Sequence, residues 1–245
     1  MKKLLSDLKC LECNSNLHKI DGKFNCENCN SKFNIVKNVP ILMEEYSLEG
    51  KTIIKSPVTY ENIIDILKMN YSSGLKVLEI GAGQSQYREI FDHEDYVSSD
   101  IITDYTRNLI GVDLICDCKN LPFDDGKFDI VFCSGVYNLL PEVGKCTGEI
   151  SRVLKKGGKF LDFDYCYRTQ IKLSDHEKSH NAYKDDFYVD IFESNNLKIN
   201  FITNTNYNYL NNKVIAKLLN LLSRTPFSKL IDKYFHWRII EGIKK

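Results

Sequence analysis

Several absences narrow what this chain of 245 residues can be. No apolar run approaches the roughly 18 residues that cross a bilayer as a helix. Met1 to Lys9 carry lysines with no apolar stretch behind them, so this segment does not read as a secretory leader. Without a leader, the nine cysteines do not read as a disulfide framework. Net charge is also missing: 33 Lys and Arg balance 33 Asp and Glu, so the chain as a whole does not hold nucleic acid by bulk charge. No internal repeat is present. What is present suits a cytoplasmic globular protein, with 43 % hydrophobic and 27 % charged residues. The length allows one full α/β domain and a small additional module.

The cysteines divide by position. Cys10-Leu-Glu-Cys13 and Cys26-Glu-Asn-Cys29 flank a hairpin pattern, Leu17 to Phe24, with Asp21-Gly22 at its turn. Each C-x-x-C offers two thiolates on one side, and a hairpin that joins two such turns makes a tetrahedral four-cysteine site suited to Zn2+. The alternatives are a redox role for one pair, or four free thiols. A segment this short and polar needs a metal for much of its stability. His18 reads as a solvated hairpin residue. Cys116, Cys118, Cys133, Cys146 and Cys166 are scattered and read as small core residues.

The pattern divides into a zinc ribbon at 1–45, a connector and lead-in helix at 46–74, an α/β domain at 75–209 and a basic amphipathic helical extension at 210–245. Pro57 stands near the start of the lead-in helix, whose apolar face is Ile63, Ile64, Ile66 and Leu67. From Leu75, strands alternate with helices: strands at 75–80, 96–99, 112–116, 128–133 and 159–163, and helices at 85–91 and 142–154. Gly157-Gly158 stops the second helix. A helix at 186–193 and a sixth strand at 197–203 follow. The alternation argues for a Rossmann-like, doubly wound, mostly parallel sheet, whose ligands lie outside the carboxyl ends of its strands.

The chemistry concentrates at those ends. Gly81 and Gly83 let backbone approach a ligand closely. The third glycine of a dinucleotide fingerprint is absent, since Gln86 stands there. Glu79 precedes the turn, where it would repel phosphate and suit a cofactor carrying positive charge. Asp100 follows about twenty residues on, where a carboxylate accepts ribose hydroxyls. Asp117 ends the next strand, placed to meet an adenine amino group. Each acid alone is as readily a cap or a solvated residue, but together they occupy successive strand ends on one side.

Leu121-Pro-Phe-Asp-Asp-Gly-Lys-Phe-Asp129 and Glu149-Ile-Ser-Arg-Val-Leu-Lys-Lys-Gly-Gly158 carry a resemblance. Residues 76–163 resemble the class I S-adenosylmethionine-dependent methyltransferases of the small-molecule type. The resemblance implies S-adenosylmethionine as methyl donor, with Glu79, Gly81 and Gly83 at its methionine end and Asp100 and Ile101 at its ribose. It places Asp117 and Cys118 at the adenine and Ser134 near the sulfonium. The loop after the fourth strand, 135–142, lacks the histidine many relatives carry, which leaves the general base open among His176, His180, Tyr137 and Tyr167. His176 is the preferred candidate because it follows strand five. The segment from Cys10 to Met43, with Asn38-Val-Pro-Ile-Leu-Met43, resembles the zinc-ribbon activator subunit of tRNA and protein methyltransferases, here within one chain.

Three functions follow as expectations: a methyltransferase acting on a small-molecule or glycan substrate, including lipid-linked intermediates; an RNA methyltransferase; and a non-catalytic partner that docks through the ribbon. No Asn/Asp-Pro-Pro-aromatic signature supports base-amino chemistry. The segment 213–245 holds eight Lys and Arg against two Asp and Glu, beside an apolar stripe from Val214 to Leu222. Such a segment suits the inner face of an anionic membrane, an RNA, or packing on the domain.

Overall fold

The structure, a computed structural model, describes residues 2–43, 61–83, 85–101, 111–140, 142–163, 185–204, 218, 221 and 237–245. The ribbon segment supplies β1 (Leu17–Ile20), β2 (Lys23–Cys26), β3 (Lys32–Val36) and β4 (Val39–Leu42). Helix α1 (Glu61–Asn70) leads into β5 (Val77–Ile80), β6 (Tyr96–Asp100), β7 (Leu114–Cys116) and β8 (Phe128–Ser134). Then come α2 (Val143–Val153), β9 (Leu154–Phe163), α3 (Asp185–Ser194), β10 (Leu197–Asn204) and β11 (Trp237–Lys244). The strands make a single sheet in the order β1-β2-β3-β4-β7-β6-β5-β8-β9-β11-β10.

The strands at the centre of the sheet are parallel and buried on both faces. Every residue of β5, β6 and β7 is buried, the signature of strands covered on two sides. Alternate side chains serve two cores. Leu78 and Ile80 join Phe160, Cys146 and Ile150 beneath α2 and α3, whereas Val77 joins Phe132, Leu161 and the α1 residues Ile63 and Leu67. The Asp21-Gly22 turn has φ of 49° and 74°, the left-handed pair of a type I′ hairpin.

Two features were not expected. First, β4 pairs parallel with β7, Ile41 opposite Ile115 and Leu42 opposite Cys116, so the ribbon segment extends the central sheet. Its Leu4, Leu5, Leu8, Leu17 and Phe24 share the core beneath α2. Second, the extension is not helical throughout. Residues 237–244 form a strand that pairs antiparallel with both β9 and β10. This corrects the expected helix over that stretch: Ile240 gains a fully buried place beside Asp162 that a helix could not provide. Leu218 and Leu221 are helical, and the remainder of 205–236 lies outside the described residues.

Smaller corrections concern local geometry. The segment 85–91 is a 3-10 turn at Arg88–Ile90, not an α-helix. Helix α2 stops at Val153, and β9 begins at Leu154 opposite Phe128. Gly157 and Gly158 therefore sit within a register shift of β9, with Gly157 at φ +77°. A Cβ on Gly158 would lie 2.8 Å from the Lys155 carbonyl oxygen, so only glycine fits there.

Candidate functional site

Strand order places the predicted residues together. β7, β6, β5 and β8 are consecutive neighbours and mutually parallel. Their carboxyl ends carry Asp117, Asp100, the 81–83 turn and Ser134 in that spatial order. The order reverses between β5 and β8, the switch point where such sheets bind ligands.

The glycine turn is held from below and left open above. Gly81 has φ +66° and Gly83 φ +55°. Val136 packs against Gly81, whereas a Cβ built on Gly83 meets nothing within 4 Å. The Gly83 N–H donates to Asp100 Oδ2 at 2.7 Å, and the Ile101 N–H donates to Asp100 Oδ1 at 2.7 Å. Asp100 is thereby fixed at the end of β6, and Ile101 beside it is 38 % exposed. Asp117 Oδ1 accepts the Lys119 N–H at 2.9 Å, closing a tight turn just past β7. Cys118 is buried, its thiol donating to Cys146 Sγ on α2 at 2.9 Å. Ser134 Oγ lies 3.4 Å from the Tyr87 hydroxyl.

Glu79 is buried within β5 rather than presented at its tip. It accepts a short hydrogen bond from the Tyr96 hydroxyl. Burial, opposed by that hydrogen bond, pushes its carboxyl up to about 8. So poorly solvated a carboxyl keeps its proton at neutral pH, and a cation placed beside it would favour its ionisation.

Sequence reading missed the support beneath this site. Asp113 Oδ2 accepts Lys2 Nζ at 2.8 Å, Arg88 Nη2 at 3.0 Å, and the Ser98 N–H and hydroxyl at 3.0 Å each. Lys2 is buried, and its ammonium also donates to the Tyr96 carbonyl at 2.7 Å. The Gly111 carbonyl accepts from Ser85 Oγ at 2.6 Å, from Ser98 Oγ at 2.8 Å and from Arg88. The start of the chain, the turn after the glycines and β6 thus meet at one half-buried carboxylate just before β7. No local pattern signals this, because Lys2 and Asp113 are 111 positions apart.

The two motifs that carried the resemblance form one clamp. Arg152 donates to the carbonyls of Leu121 and Phe123 at 2.8 and 2.6 Å and to Glu149 Oε1 at 2.7 Å. Glu149 Oε2 accepts the Leu121 N–H at 2.8 Å. Helix α2 therefore holds the 117–123 loop in place beside the site.

In the ribbon segment, the Sγ atoms of Cys10, Cys13, Cys26 and Cys29 all lie within 4.8 Å of one another. Tetrahedral Zn–S bonds of about 2.3 Å separate sulfurs by about 3.8 Å, so the donor set fits Zn2+. This cluster is braced against the 117–123 loop: the Lys9 N–H donates to the Pro122 carbonyl at 3.0 Å, and Asn120 Nδ2 to the Leu11 carbonyl at 3.3 Å. His176 and His180, the candidate bases, lie outside the described residues, as does Tyr167. Tyr137 is fully buried beneath α2, its hydroxyl engaged with Thr147, which removes it from the candidates.

Residues 78–162 match the profile of the family described as Methyltransferase domain. This segment is similar to that family, and the sheet around it has a Rossmann-like fold. Among curated relatives, sterol 4-C-methyltransferase strm-1 of Caenorhabditis elegans is 36 % identical over 67 residues, covering 27 % of this chain and 19 % of that protein. The uncharacterized protein MJ1123 of Methanocaldococcus jannaschii is 26 % identical over 207 residues, 81 % of this chain and 89 % of its own length. A solved Haemonchus contortus phosphoethanolamine N-methyltransferase 2, bound to phosphomonomethylethanolamine and S-adenosylhomocysteine, superposes with a TM-score of 0.53 at 17 % identity. That match covers 76 % of this chain and 53 % of the other, and it shows the fold. The chain spans 19 and 50 % of the first two curated relatives it matches.

Proposed function

We propose that this chain transfers a methyl group from S-adenosylmethionine to a small-molecule acceptor, including glycan and lipid-linked intermediates. The observation that carries this reading is the run of Asp117, Asp100, the Gly81–Gly83 turn and Ser134 across four adjoining parallel strand ends. The cofactor supplies a methyl already activated on a sulfonium. The chain's task is then to bind, orient and exclude water. Asp100, fixed by two backbone N–H groups, suits the ribose hydroxyls, and Asp117 with Cys118 suits the adenine. The open space above Gly83 leaves room for the methionine portion. Glu79 lies beneath it as a buried carboxyl that holds its proton at neutral pH in the empty site, and that a cationic cofactor, unlike a pyrophosphate, would favour ionising.

Zn2+ in the four-cysteine cluster serves structure in this reading, since all four positions of a tetrahedral site are filled by the chain. Two facts support an apolar or membrane-borne acceptor. One relative is named as a sterol methyltransferase. In addition, Asn204 and Trp237 pair at the carboxyl edge of β9, the edge that bears the site. Leu218 and Leu221, helical and three residues apart, are 53 and 65 % exposed. With the five Lys and Arg against one Asp in the sequence of 213–236, they suit contact with the inner face of an anionic membrane.

Tritiated methyl from S-adenosylmethionine, incubated with the protein and fractionated extract, tests the acceptor. Label in the small-molecule, glycan or lipid fraction is expected. Label confined to RNA would overturn the acceptor class while leaving the donor intact.

A further inference from the structure

Four buried cysteines lie outside the ribbon among the described residues, and two of them face each other. The sulfurs of Cys118 and Cys146 are 2.9 Å apart. In the ribbon the paired sulfurs are 3.4 and 3.5 Å apart, a spacing a shared metal can bridge. At 2.9 Å no metal fits between two thiolates, since Zn–S bonds hold sulfurs about 3.8 Å apart. The contact lies part-way to a disulfide, whose S–S bond is about 2.05 Å.

The surrounding structure keeps the two thiols aligned. Cys118 follows Asp117 in the loop after β7, and Cys146 lies on α2. Lys119 pairs with Glu142 at 3.1 Å near one end of the helix, and the Glu149–Arg152 clamp holds Leu121 and Phe123 near the other. Helix and loop are thus fastened on both sides of the thiol pair. Cys133 instead donates to Asp162 at 3.4 Å.

We propose that Cys118 and Cys146 are a redox-active dithiol in the wall of the cofactor site, and that closing their disulfide weakens cofactor binding. The oxidant is a small-molecule disulfide such as oxidised glutathione. One thiolate attacks it, forming a mixed disulfide and releasing one reduced thiol. The second thiolate then attacks the mixed disulfide, the protein S–S bond forms and a second reduced thiol leaves. Two protein thiols are oxidised, one external disulfide is reduced to two thiols, and the two protons pass to the departing thiolates. The hydrogen bond that Cys118 donates to Cys146, and then burial, hold the Cys118 thiol far above its ordinary value. Cys118 is therefore a poor nucleophile until the loop opens, and bound cofactor should slow the exchange. Drawing Cys118 toward α2 pulls Asp117 with it.

The consequence for affinity rests on the cofactor reading above, whereas formation of the bond does not. The test uses the zinc-loaded full chain, equilibrated across oxidised and reduced glutathione. Peptide mapping is expected to find a bridge joining Cys118 to Cys146, absent from Cys146→Ser and reversed by dithiothreitol. Calorimetry is expected to show S-adenosylhomocysteine binding about tenfold more weakly to the oxidised form, the loss of one charge-assisted contact. Absence of the 118–146 bridge from wild-type protein at every poise would overturn the proposal. A bridge that leaves affinity unchanged would overturn its regulatory half. If the reduced protein bound no S-adenosylhomocysteine, the cofactor reading would fail while the bridge was still scored by mass. Should Cys146→Ser not fold, Cys118→Ala provides the same control.

Discussion

Gly81 and Gly83 share a turn and a left-handed backbone, yet alanine at each should fail differently. Both have positive φ, which costs an L-residue roughly 1–2 kcal/mol. At Gly81 the new methyl also collides with Val136, whose Cγ1 and Cβ would lie 2.8 and 3.1 Å away. Val136 follows β8 and is itself packed against the core, so it cannot swing clear, and overpacking adds about 1–3 kcal/mol. Gly81→Ala should therefore lose about 2–5 kcal/mol of stability. At Gly83 the methyl meets nothing, so only the backbone cost of roughly 1–2 kcal/mol remains. That open space is where the proposed function puts the methionine end of the cofactor. Gly83→Ala should consequently keep its fold and still lose S-adenosylhomocysteine affinity. Urea denaturation of the cofactor-free variants, followed by calorimetry on the folded fraction, separates the two effects. The reasoning is refuted if Gly83→Ala is destabilised as much as Gly81→Ala, or if it binds like wild type.

Asp113→Ala should cost about 3–5 kcal/mol, because it strands two cations, Lys2 and Arg88, at a site that is 4 and 24 % exposed; urea midpoints report it, and a loss under 1 kcal/mol would contradict the hub (~1 kcal/mol being the ceiling for an exposed pair). The Glu79 carboxyl is raised by burial from 4.5 to about 8, so the folded chain holds a proton that the unfolded chain has lost in that window. Its contribution to stability is full below pH 4.5 and is lost as pH rises through about 8. Glu79→Gln should flatten the fall in the urea midpoint between those limits, and an unchanged slope would show that another group titrates there. Chelating Zn2+ loaded into the four-cysteine cluster should release it to a colorimetric reagent and weaken S-adenosylhomocysteine binding, because the Lys9–Pro122 and Asn120–Leu11 contacts brace the 117–123 loop, which the proposed function sets beside the adenine. Unaltered affinity after full metal removal would disconnect the two.

What could be read from sequence was local. The central strands announce themselves as apolar runs, and Asp100 and Asp117 stand directly at their ends, so element order and site placement follow from short windows. The Asp-Gly turn and the two C-x-x-C spacings are equally local. The misses are long-range. Trp237 to Lys244 continues a basic amphipathic stretch and reads as helix, yet it is a strand because β9 and β10, far back in the chain, offer it two open edges. The pairing of β4 with β7 depends on an edge more than 70 residues downstream, Ile41 meeting Ile115. Lys2 and Asp113 find each other only through the sheet. Glu79 was legible as an acid before a glycine turn, but its burial against Tyr96 was not, since that depends on the register that sets Val77 opposite Tyr96 and leaves Glu79 opposite Ser98.

The central claim is that four parallel strand ends hold S-adenosylmethionine. Calorimetry of the zinc-loaded chain with S-adenosylhomocysteine tests it most directly. The account predicts a single saturable site that is lost in Asp100→Ala while the protein remains folded. Titrations that stay flat to millimolar cofactor, or binding that Asp100→Ala leaves intact, would contradict it.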